Sequence, residues 1–351
     1  MIFYKTLKPY NKHYTNAADP QDNLYLSKNV MIDRKCYKAN LMAVYYGEDF
    51  KNKVLNKNLE HQTSNYFVLN IDEEYTEETF DKWKTLGYQV VKLSEINQMK
   101  YLTLKNVENY VSVIFDNVEG TYEEDEECLL TAILQYVIMK GLKRDWRMVF
   151  DVLNDIKTGK KKIPNLKDVG LCDTLQHRLE CLMSDETKET SFEEVPEYAD
   201  KIIYVMDIHS EKTEERMKNA TTLFLFISTM RNCNFFLDHL NKVGNVDSIK
   251  FPVFKTYNTF FHYFAKNEEE FKKEFGKNAD RILYTADILV ANYYDKTIDY
   301  YLRRCENWLK QYNHKFYERF WIKNSLTYKN ISPEKCFVLI RSAYPILDKC
   351  M

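Results

Sequence analysis

The sequence predicts an α/β fold built on a mainly parallel sheet, followed by a helical C-terminal extension. Two patterns lead to this prediction. From residue 40, short apolar runs alternate with amphipathic stretches of helical periodicity, as they do in βαβ units. Beyond residue 210 the pattern becomes mainly helical. We therefore divide the chain into an N-terminal extension (1–39), an α/β domain (40–210) and a mainly helical C-terminal region (211–351).

The strands are predicted from β-rich apolar runs that end at glycine or polar residues. These runs lie at 41–47, 65–72, 88–93, 110–117, 146–153 and 199–208. The clearest helix signal between them is TEETFDKWKTLG (76–87), which begins at a threonine cap and ends at a glycine. Further helices are predicted in the C-terminal region, at 211–242, 257–275, 279–301, 303–321 and 333–350.

The composition sets limits on the class of protein. A net charge of −2 and a pI near 6.4 do not mark the whole chain as a nucleic-acid binder. Only 8 glycines leave few places for tight phosphate-binding turns, and the excess of Lys, Asn, Tyr and Phe is typical of AT-rich genomes such as those of large DNA viruses. The 8 scattered cysteines form no CxxC pair and favour reduced thiols in a cytoplasmic protein.

The longest apolar run, TTLFLFISTM (221–230), is too short to span a bilayer, so no membrane partner is expected.

Candidate binding residues stand where the predicted strands end. In an open parallel sheet, ligands bind beyond the carboxyl ends of the strands. Gly47, Asp72, Asp116 and Asp207 occupy such positions in this sequence. Asp72 stands where Rossmann-type domains often place an acid that accepts a hydrogen bond from a ribose hydroxyl. A loop or helix-cap role is the commoner explanation for any single acid at such a position.

Most of the familiar catalytic motifs are missing from the sequence. It contains no GxxxxGK[ST] loop, no GxGxxG loop, no Gly-x-Ser-x-Gly elbow and no HExxH zinc motif. Asp207 and His209 could together hold a divalent metal, although a capping or surface role is favoured because no second carboxylate pair lies nearby in sequence.

A basic and aromatic stretch near the C-terminus, residues 303–329, is a candidate RNA-binding surface. Arg303, Arg304 and Lys310 could reach phosphates while the interleaved aromatic rings stack on bases. The alternative is an amphipathic helix that buries its aromatic rings and leaves the basic side chains in solvent. We favour that alternative for the rings and keep the basic side chains as candidates.

In outline the chain resembles the poxvirus poly(A) polymerase regulatory subunits, which are also cap-ribose 2′-O-methyltransferases of the FtsJ/RrmJ type. The stretches that carry the resemblance are LKPYNKHY (7–14), VYYGEDF (44–50), VIFDNVEG (113–120), GLKRDWRMVF (141–150), EYADKIIYV (197–205) and TYNTFFHYF (256–264). The resemblance implies a Rossmann-like, methyltransferase-type parallel sheet. It also implies S-adenosylmethionine as cofactor, bound near Gly47 and Asp72.

The resemblance also implies a catalytic group, but an incomplete one. The family's aspartate falls on Asp116, its second lysine on Lys143, and its glutamate near Asp200, a shorter acid. The first lysine has no counterpart, because Thr15 stands at its place with Lys12 nearby. Such a lysine would act as the general base toward the ribose hydroxyl. The cofactor loop is degenerate, with one glycine followed by two acids that would repel the cofactor's carboxylate.

We therefore expect an RNA-associated protein of methyltransferase fold, either cap-methyltransferase-like or a non-catalytic subunit of an RNA-processing complex. Its expected partners are RNA and a polymerase or processing subunit. Two alternatives stay open at this point. One is a non-enzymatic viral scaffold or protein-interaction protein. The other is a metal-dependent transferase or hydrolase that uses Asp72, Asp116 and Asp207.

Overall fold

A nine-stranded sheet forms the centre of the protein. The structure is a computed structural model that describes residues 23–33, 41–62, 64–95, 97–118, 120–162, 170–183, 201–212, 215–230, 232–247, 249, 259–293, 334–340 and 346–350. The strands of this sheet are β3 (Leu41–Tyr46), β4 (Asn65–Ile71), β5 (Gln89–Lys92), β6 (Ile202–Ile208), β7 (Cys233–Leu237), β8 (Phe260–Ala265), β9 (Ile288–Ala291), β10 (Lys335–Ile340) and β11 (Ile346–Lys349). A separate antiparallel pair joins β1 (Asn23–Tyr25) to β2 (Met31–Asp33).

The strand order of the large sheet is β11-β10-β9-β3-β8-β7-β4-β6-β5. All pairings from β9 to β5 are parallel, and β10 and β11 add an antiparallel edge next to β9. The seven parallel strands therefore end at one edge of the sheet, and the loops that follow them meet there. Strands from both sides of residue 210 pair with each other in this sheet, since β3 lies between β9 and β8 and β4 pairs with β7, so one hydrogen-bonded structure joins them.

Helices cover both faces of the sheet, which explains why strands such as β3 and β4 are buried along their whole length. The helices are α1 (Phe50–His61), α2 (Glu77–Thr85), α3 (Val107–Asp116), α4 (Glu124–Met139), α5 (Trp146–Lys157), α6 (Gly170–Met183), α7 (Arg216–Thr229), α8 (Leu240–Val243), α9 (Glu268–Phe275) and α10 (Ala279–Thr285). Helices α1 and α2 pack on one face with β1 and β2, and the others contribute to the larger core on the opposite face.

The α/β class with a parallel sheet is confirmed, and strands predicted near 41–47, 65–72, 88–93 and 199–208 are present as β3, β4, β5 and β6. Two predicted strands are wrong. Residues 110–117 lie within or next to α3, and residues 146–153 begin α5. In α3 the buried residues Val107, Tyr110, Val111 and Ile114 recur at helical spacing, which outweighs the β preference of the individual side chains.

Several helices predicted in the C-terminal region are also corrected. Residues 233–237 and 260–265 form β7 and β8, and residues 288–291 form β9. The helix predicted at 333–350 is wrong because residues 335–340 and 346–349 form the antiparallel edge. Strands β7, β8 and β9 are short and buried along their whole length, so neither strict alternation nor helical periodicity shows in the sequence. The helix predicted at 303–321 lies outside the described residues.

Candidate functional site

A tight turn connects the central strand β3 to helix α1. Gly47 follows β3 with φ of 148°, and its N–H donates to the carbonyl of Ala265 at 3.0 Å. A Cβ on Gly47 would lie 2.6 Å from the Phe50 ring and 2.7 Å from Asn292 Oδ1. Asp49 then takes a left-handed conformation with φ of 60°, and α1 begins at Phe50. Only glycine fits at position 47, because both the backbone angle and the packing exclude a side chain.

Lys51, in the first turn of α1, points into the protein where β4 and β7 end. Its Nζ donates to the Leu69 carbonyl at 2.9 Å and to Glu74 Oε2 at 2.6 Å. The same atom lies 2.9 Å from Asp238 Oδ1 and 3.0 Å from Oδ2. Burial alone would lower the pKa of Lys51, but the Tyr75 hydroxyl and the carboxylates of Asp238 and Glu74 hold its pKa above the ordinary value. Lys51 is therefore a buried cation between two carboxylates.

Asp238 directly follows β7. Besides Lys51, it contacts His239, which in turn contacts Glu274. The His239 ring lies between two carboxylates, with Nδ1 3.2 Å from Asp238 Oδ2 and Nε2 3.6 Å from Glu274 Oε1. The backbone N–H of His239 donates to Glu274 Oε2 at 3.0 Å, and His239 has a left-handed backbone with φ of 47°. Asp238, His239 and Glu274 thus extend the charged site from Lys51 toward α9.

The protonation of this cluster is set by burial and by its mutual charges. Burial opposes ionisation of Asp238, but Lys51 and His239 hold its pKa below the ordinary value. Burial raises the pKa of Glu274 to about 7, although the nearby His239 acts against the rise. The hydrogen bond to Asp238 raises the pKa of His239. Glu274 therefore titrates near neutral pH and His239 holds its proton more tightly than usual, next to the Lys51–Asp238 ion pair.

Asn52, the residue after Lys51, adds an unsatisfied oxygen to the same site. Its Nδ2 donates to Glu74 Oε1 at 2.9 Å. Its Oδ1 is buried and has no hydrogen-bond partner in the described part of the chain. A buried acceptor without a partner is unfavourable, so this oxygen is available to a ligand, a cation or water.

Asp72 lies at the end of β4, as expected, but acts as a link between loops. It accepts hydrogen bonds from the Ser210 backbone N–H at 2.8 Å and the Ser210 hydroxyl at 2.7 Å, and from Lys242 Nζ at 3.1 Å. The two Ser210 hydrogen bonds, with the help of Lys242, lower the pKa of Asp72 to about 2. Asp72 therefore fastens the loop after β6 and helix α8 to the end of β4.

Of the other predicted catalytic residues, Asp116 and Lys143 lie on different elements from Asp72. Asp116 is the last residue of helix α3 rather than the end of a strand, because residues 107–116 are helical. Lys143 lies in the turn before α5, where it pairs with Asp145 at 2.8 Å and is 77% exposed. Asp200, Arg303, Arg304 and Lys310 lie outside the described residues. The catalytic roles of Asp116, Lys143 and Asp200, and of Gly47 and Asp72 toward a cofactor, stay predictions.

Two general features bear on ligands and membranes. In the described ranges, no three His, Cys, Asp or Glu side chains are grouped so that they could hold a metal ion by themselves. None of the described helices is long and apolar enough to cross a membrane.

The sequence analysis missed Lys51, Asp238 and Glu274. A signal was present for the first two. The stretch VYYGEDFK places a lysine in the first turn after a strand and a glycine, and CNFFLDHL is an apolar run that ends in an aspartate. Glu274 gives no comparable signal, because it lies in the ordinary charged helix EEEFKKEF.

Comparison with known proteins supports a fold but no sequence family. No protein-family model and no curated protein matches the chain. In solved structures, it is similar to VirB4 of Thermoanaerobacter pseudethanolicus, with a TM-score of 0.57 and 13% identity over 96% of this chain and 98% of that one.

It is also similar to the bacterial conjugative coupling protein TrwBΔN70. The trigonal form with sulphate has a TM-score of 0.52 and 10% identity, and covers 99% of this chain and 92% of that one. The unbound monoclinic form has a TM-score of 0.56 and 10% identity, and covers 99% of this chain and 91% of that one.

These neighbours correct the resemblance on which the functional expectation was based. They are of the P-loop nucleoside triphosphatase type and not FtsJ-type methyltransferases. The expectation of an RNA methyltransferase or RNA-processing subunit is therefore wrong, and so is the viral scaffold alternative. The use of Asp72, Asp116 and Asp207 by a metal-dependent transferase or hydrolase stays a prediction. The expected S-adenosylmethionine cofactor stays an untested prediction. The chain has a mixed α/β fold with a parallel sheet and flanking helices, and it shares this fold with these solved structures.

Proposed function

We propose that this protein binds a nucleoside triphosphate with Mg²⁺ where β3 and β7 end, and that it is a nucleoside triphosphatase. One observation carries the proposal. Lys51 lies in the first turn of the helix that follows β3 and Gly47, and it pairs at 2.9 Å with Asp238, the acid that follows β7. In P-loop enzymes, a lysine at this point of the helix reaches the phosphates, and an acid after a neighbouring strand holds Mg²⁺.

The residues around Lys51 suit a magnesium ion. Mg²⁺ prefers oxygen ligands and is commonly bound by one or two carboxylates together with water and substrate phosphates. Asp238 and Glu74 supply carboxylates, and the buried, unpartnered Oδ1 of Asn52 supplies a third oxygen next to Glu74. Asn52 takes the place that serine or threonine has after the lysine of the usual loop.

Each residue would have a distinct role in phosphate chemistry. Lys51 would contact the phosphates and neutralise charge on them, whereas Asp238 and Asn52 would hold the metal ion. The metal ion, when bound, would neutralise charge on the phosphates. Because Asp238 now neutralises Lys51, a divalent cation on Asp238 would release Lys51 for the phosphates. Nucleotide binding should therefore depend on Mg²⁺.

The loop before Lys51 also predicts weak binding. In the usual motif the lysine comes six residues after the first glycine. Here Lys51 comes four residues after Gly47, with Phe50 where the second glycine would be. A shorter loop offers fewer backbone N–H groups to a phosphate. Glu48 and Asp49 add negative charge beside it. We therefore expect lower affinity and slower turnover than a complete loop would give.

The proposal is tested by isothermal titration of the protein with ATP, with and without Mg²⁺, and by phosphate-release measurements. We expect saturable binding that requires Mg²⁺. Lys51→Met should weaken it by at least about tenfold, as expected for loss of one charge-assisted contact to phosphate. Lys53→Met is the matched control, because Lys53 lies on the exposed side of the same helix.

Because Lys51 is buried, Lys51→Met could also unfold the protein, so Asn52→Ala is the second variant. Asn52 is only partly buried. The Asn52→Ala variant should bind ATP more weakly in the presence of Mg²⁺, while its circular dichroism spectrum shows an intact fold. If the wild-type protein shows no saturable heat with millimolar Mg·ATP, the proposal is wrong and Lys51 serves only as a buried ion pair.

A further inference from the structure

All three hydrogen-bond donors of the Lys51 ammonium group are used within the protein. Nζ donates to the Leu69 carbonyl at 2.9 Å, to Glu74 Oε2 at 2.6 Å and to Asp238 Oδ2 at 3.0 Å. A lysine ammonium group has three N–H donors, so none remains for a phosphate. A nucleotide at this site can therefore contact Lys51 only after one of the three acceptors has moved away.

Glu74 is the acceptor that can move most easily. The Leu69 carbonyl belongs to the backbone of β4, which lies inside the sheet between β6 and β7. The Asp238 side chain is only 9% exposed and also contacts His239. The Glu74 side chain is 28% exposed, which gives it the most access to solvent of the two carboxylates. A phosphate that enters from solvent therefore replaces Glu74 at the smallest disturbance of the protein.

The other carboxylate oxygen of Glu74 restrains Asn52. Asn52 Nδ2 donates to Glu74 Oε1 at 2.9 Å, which fixes the amide whose Oδ1 has no partner among the described residues. One carboxylate thus holds the two neighbouring residues of α1 that are assigned to the phosphates and to the metal ion. Mg²⁺ is commonly bound by one or two carboxylates with water and phosphates, so Asp238 can serve it without Glu74.

The backbone that carries Glu74 is a tight turn fastened to its surroundings. The Glu74 N–H donates to the Ile71 carbonyl at 3.0 Å, and the two residues between them, Asp72 and Glu73, have left-handed φ angles of 49° and 64°. Turns with positive φ at both central positions favour Asn and Gly, so two acids are strained there. The Asp72 carboxylate ties the turn to Ser210 through two hydrogen bonds. Because the turn is held in this way, release of Lys51 needs only a rotation of the Glu74 side chain.

We propose that Glu74 is an autoinhibitory latch, whose carboxylate holds Lys51 and Asn52 in the nucleotide-free protein and is displaced by the phosphates of Mg·ATP. This inference rests on the nucleotide site proposed above. The exchange keeps Lys51 paired with an anion throughout, because a phosphate oxygen takes the place of the carboxylate. A protein that must first open the latch binds its ligand with reduced apparent affinity. Removal of the Glu74 charge should therefore tighten binding.

Isothermal titration with Mg·ATP of the wild type and Glu74→Gln tests the latch. The amide keeps the size of the side chain but removes its charge, and Asp238 still compensates the buried Lys51. We expect Glu74→Gln to bind Mg·ATP about tenfold more tightly, as for the loss of one competing charge-assisted hydrogen bond. Glu73→Gln is the matched control, because Glu73 is exposed in the same turn and the change removes the same charge. It should bind like the wild type.

Glu74→Asp separates contact from charge and serves as the second variant. It keeps the carboxylate, but its side chain is one methylene shorter and holds Lys51 less closely, so its affinity should lie between those of the wild type and Glu74→Gln. Equal or weaker binding by Glu74→Gln would overturn the latch and make Glu74 a metal ligand or a structural partner. Equal tightening in Glu73→Gln would also overturn it, since net charge would then explain the effect. No saturable binding in any of these proteins would overturn the proposed nucleotide site itself, and the latch with it.

Discussion

Lys51 Nζ lies 2.9 Å from Asp238 Oδ1, although 187 residues separate the two in sequence. The pair joins the first turn of α1 to the residue after β7, and both side chains are at least nine-tenths buried. Glu74 makes a third member, so two carboxylates surround one ammonium group. A buried arrangement of this kind depends on all its members, because any one left alone is a charge without compensation.

The first prediction concerns the stability of this pair. Lys51→Met should lower the free energy of unfolding by about 3–5 kcal/mol, because it leaves Asp238 buried without its cation. Adding Asp238→Leu to the same chain should recover part of that loss, since no isolated charge then remains. Urea unfolding of the two single variants and the double variant measures the coupling. Additive single-variant effects would show that the two side chains do not stabilise each other.

Much of the sheet can be predicted from sequence. The strands at 41–46, 65–71, 89–92 and 202–208 are apolar, β-branched or aromatic, and bounded by turn residues. The segment 146–157 is a helix, although the short apolar run WRMVFDVL predicts a strand. A run of this length and composition is compatible with either a buried strand or one face of a helix. A local signal was nevertheless present, since Asp145 caps the helix by accepting from the Met148 N–H at 2.8 Å. Short apolar runs stay ambiguous unless such caps are considered.

The candidate site was harder to predict than the sheet for a physical reason. Lys51, Glu74 and Asp238 lie in three separate segments, and only the strand order β3-β8-β7-β4 places them together. The sequence predicts Gly47 as the end of the first strand. The role of Lys51, however, depends on the direction in which its side chain points from α1. Local sequence patterns do not contain that direction, because it follows from the packing of α1 against the sheet.

The second prediction concerns pH. Burial raises the pKa of Glu274 from 4.5 to about 7. Because the folded pKa lies above the unfolded one, the stabilising effect of the protonated form is complete below pH 4.5 and is lost as the pH rises through about 7. The raised pKa of His239 acts in the same direction, since its proton is also held more tightly in the folded state. Stability should therefore fall between about pH 4.5 and pH 7, by roughly 1.4 kcal/mol per unit of pKa shift.

Glu274→Gln tests this pH dependence, because the amide cannot ionise but can still accept from the His239 N–H. We expect thermal melting of the variant to depend less on pH than that of the wild type. Glu269→Gln is the control, since Glu269 is exposed on the same helix. A wild-type melting temperature that is constant or rises across this range would contradict the assignment.

The third prediction concerns a hydrogen bond in the centre of the sheet. The Tyr45 hydroxyl lies 3.1 Å from His262 Nδ1 and joins neighbouring strands β3 and β8 inside the core. Tyr45→Phe keeps the ring but removes this contact, and should cost about 1–3 kcal/mol because a buried partner loses a hydrogen bond. Chemical denaturation measures the loss. Phe264→Leu, which removes a stacked ring without touching the hydrogen bond, provides a packing comparison. An unchanged stability in Tyr45→Phe would show that the hydrogen bond contributes nothing net.

The fourth prediction concerns Gly47, the turn that begins the candidate site. Gly47→Ala should cost about 2–4 kcal/mol, because a methyl group would meet the Phe50 ring at 2.6 Å and the backbone angle of 148° is strained for alanine. Gly159→Ala is the comparison, since Gly159 also has a positive φ, of 72°, but nothing lies within 4 Å of the added carbon. It should cost only the backbone strain, about 1–2 kcal/mol. The difference between the two variants, measured by urea unfolding, combines the steric clash at Gly47 with the larger backbone strain of its φ of 148°. Equal losses of unfolding free energy in the two variants would mean that Phe50 and Asn292 move aside at no cost. The packing around Gly47 would then not restrict this turn.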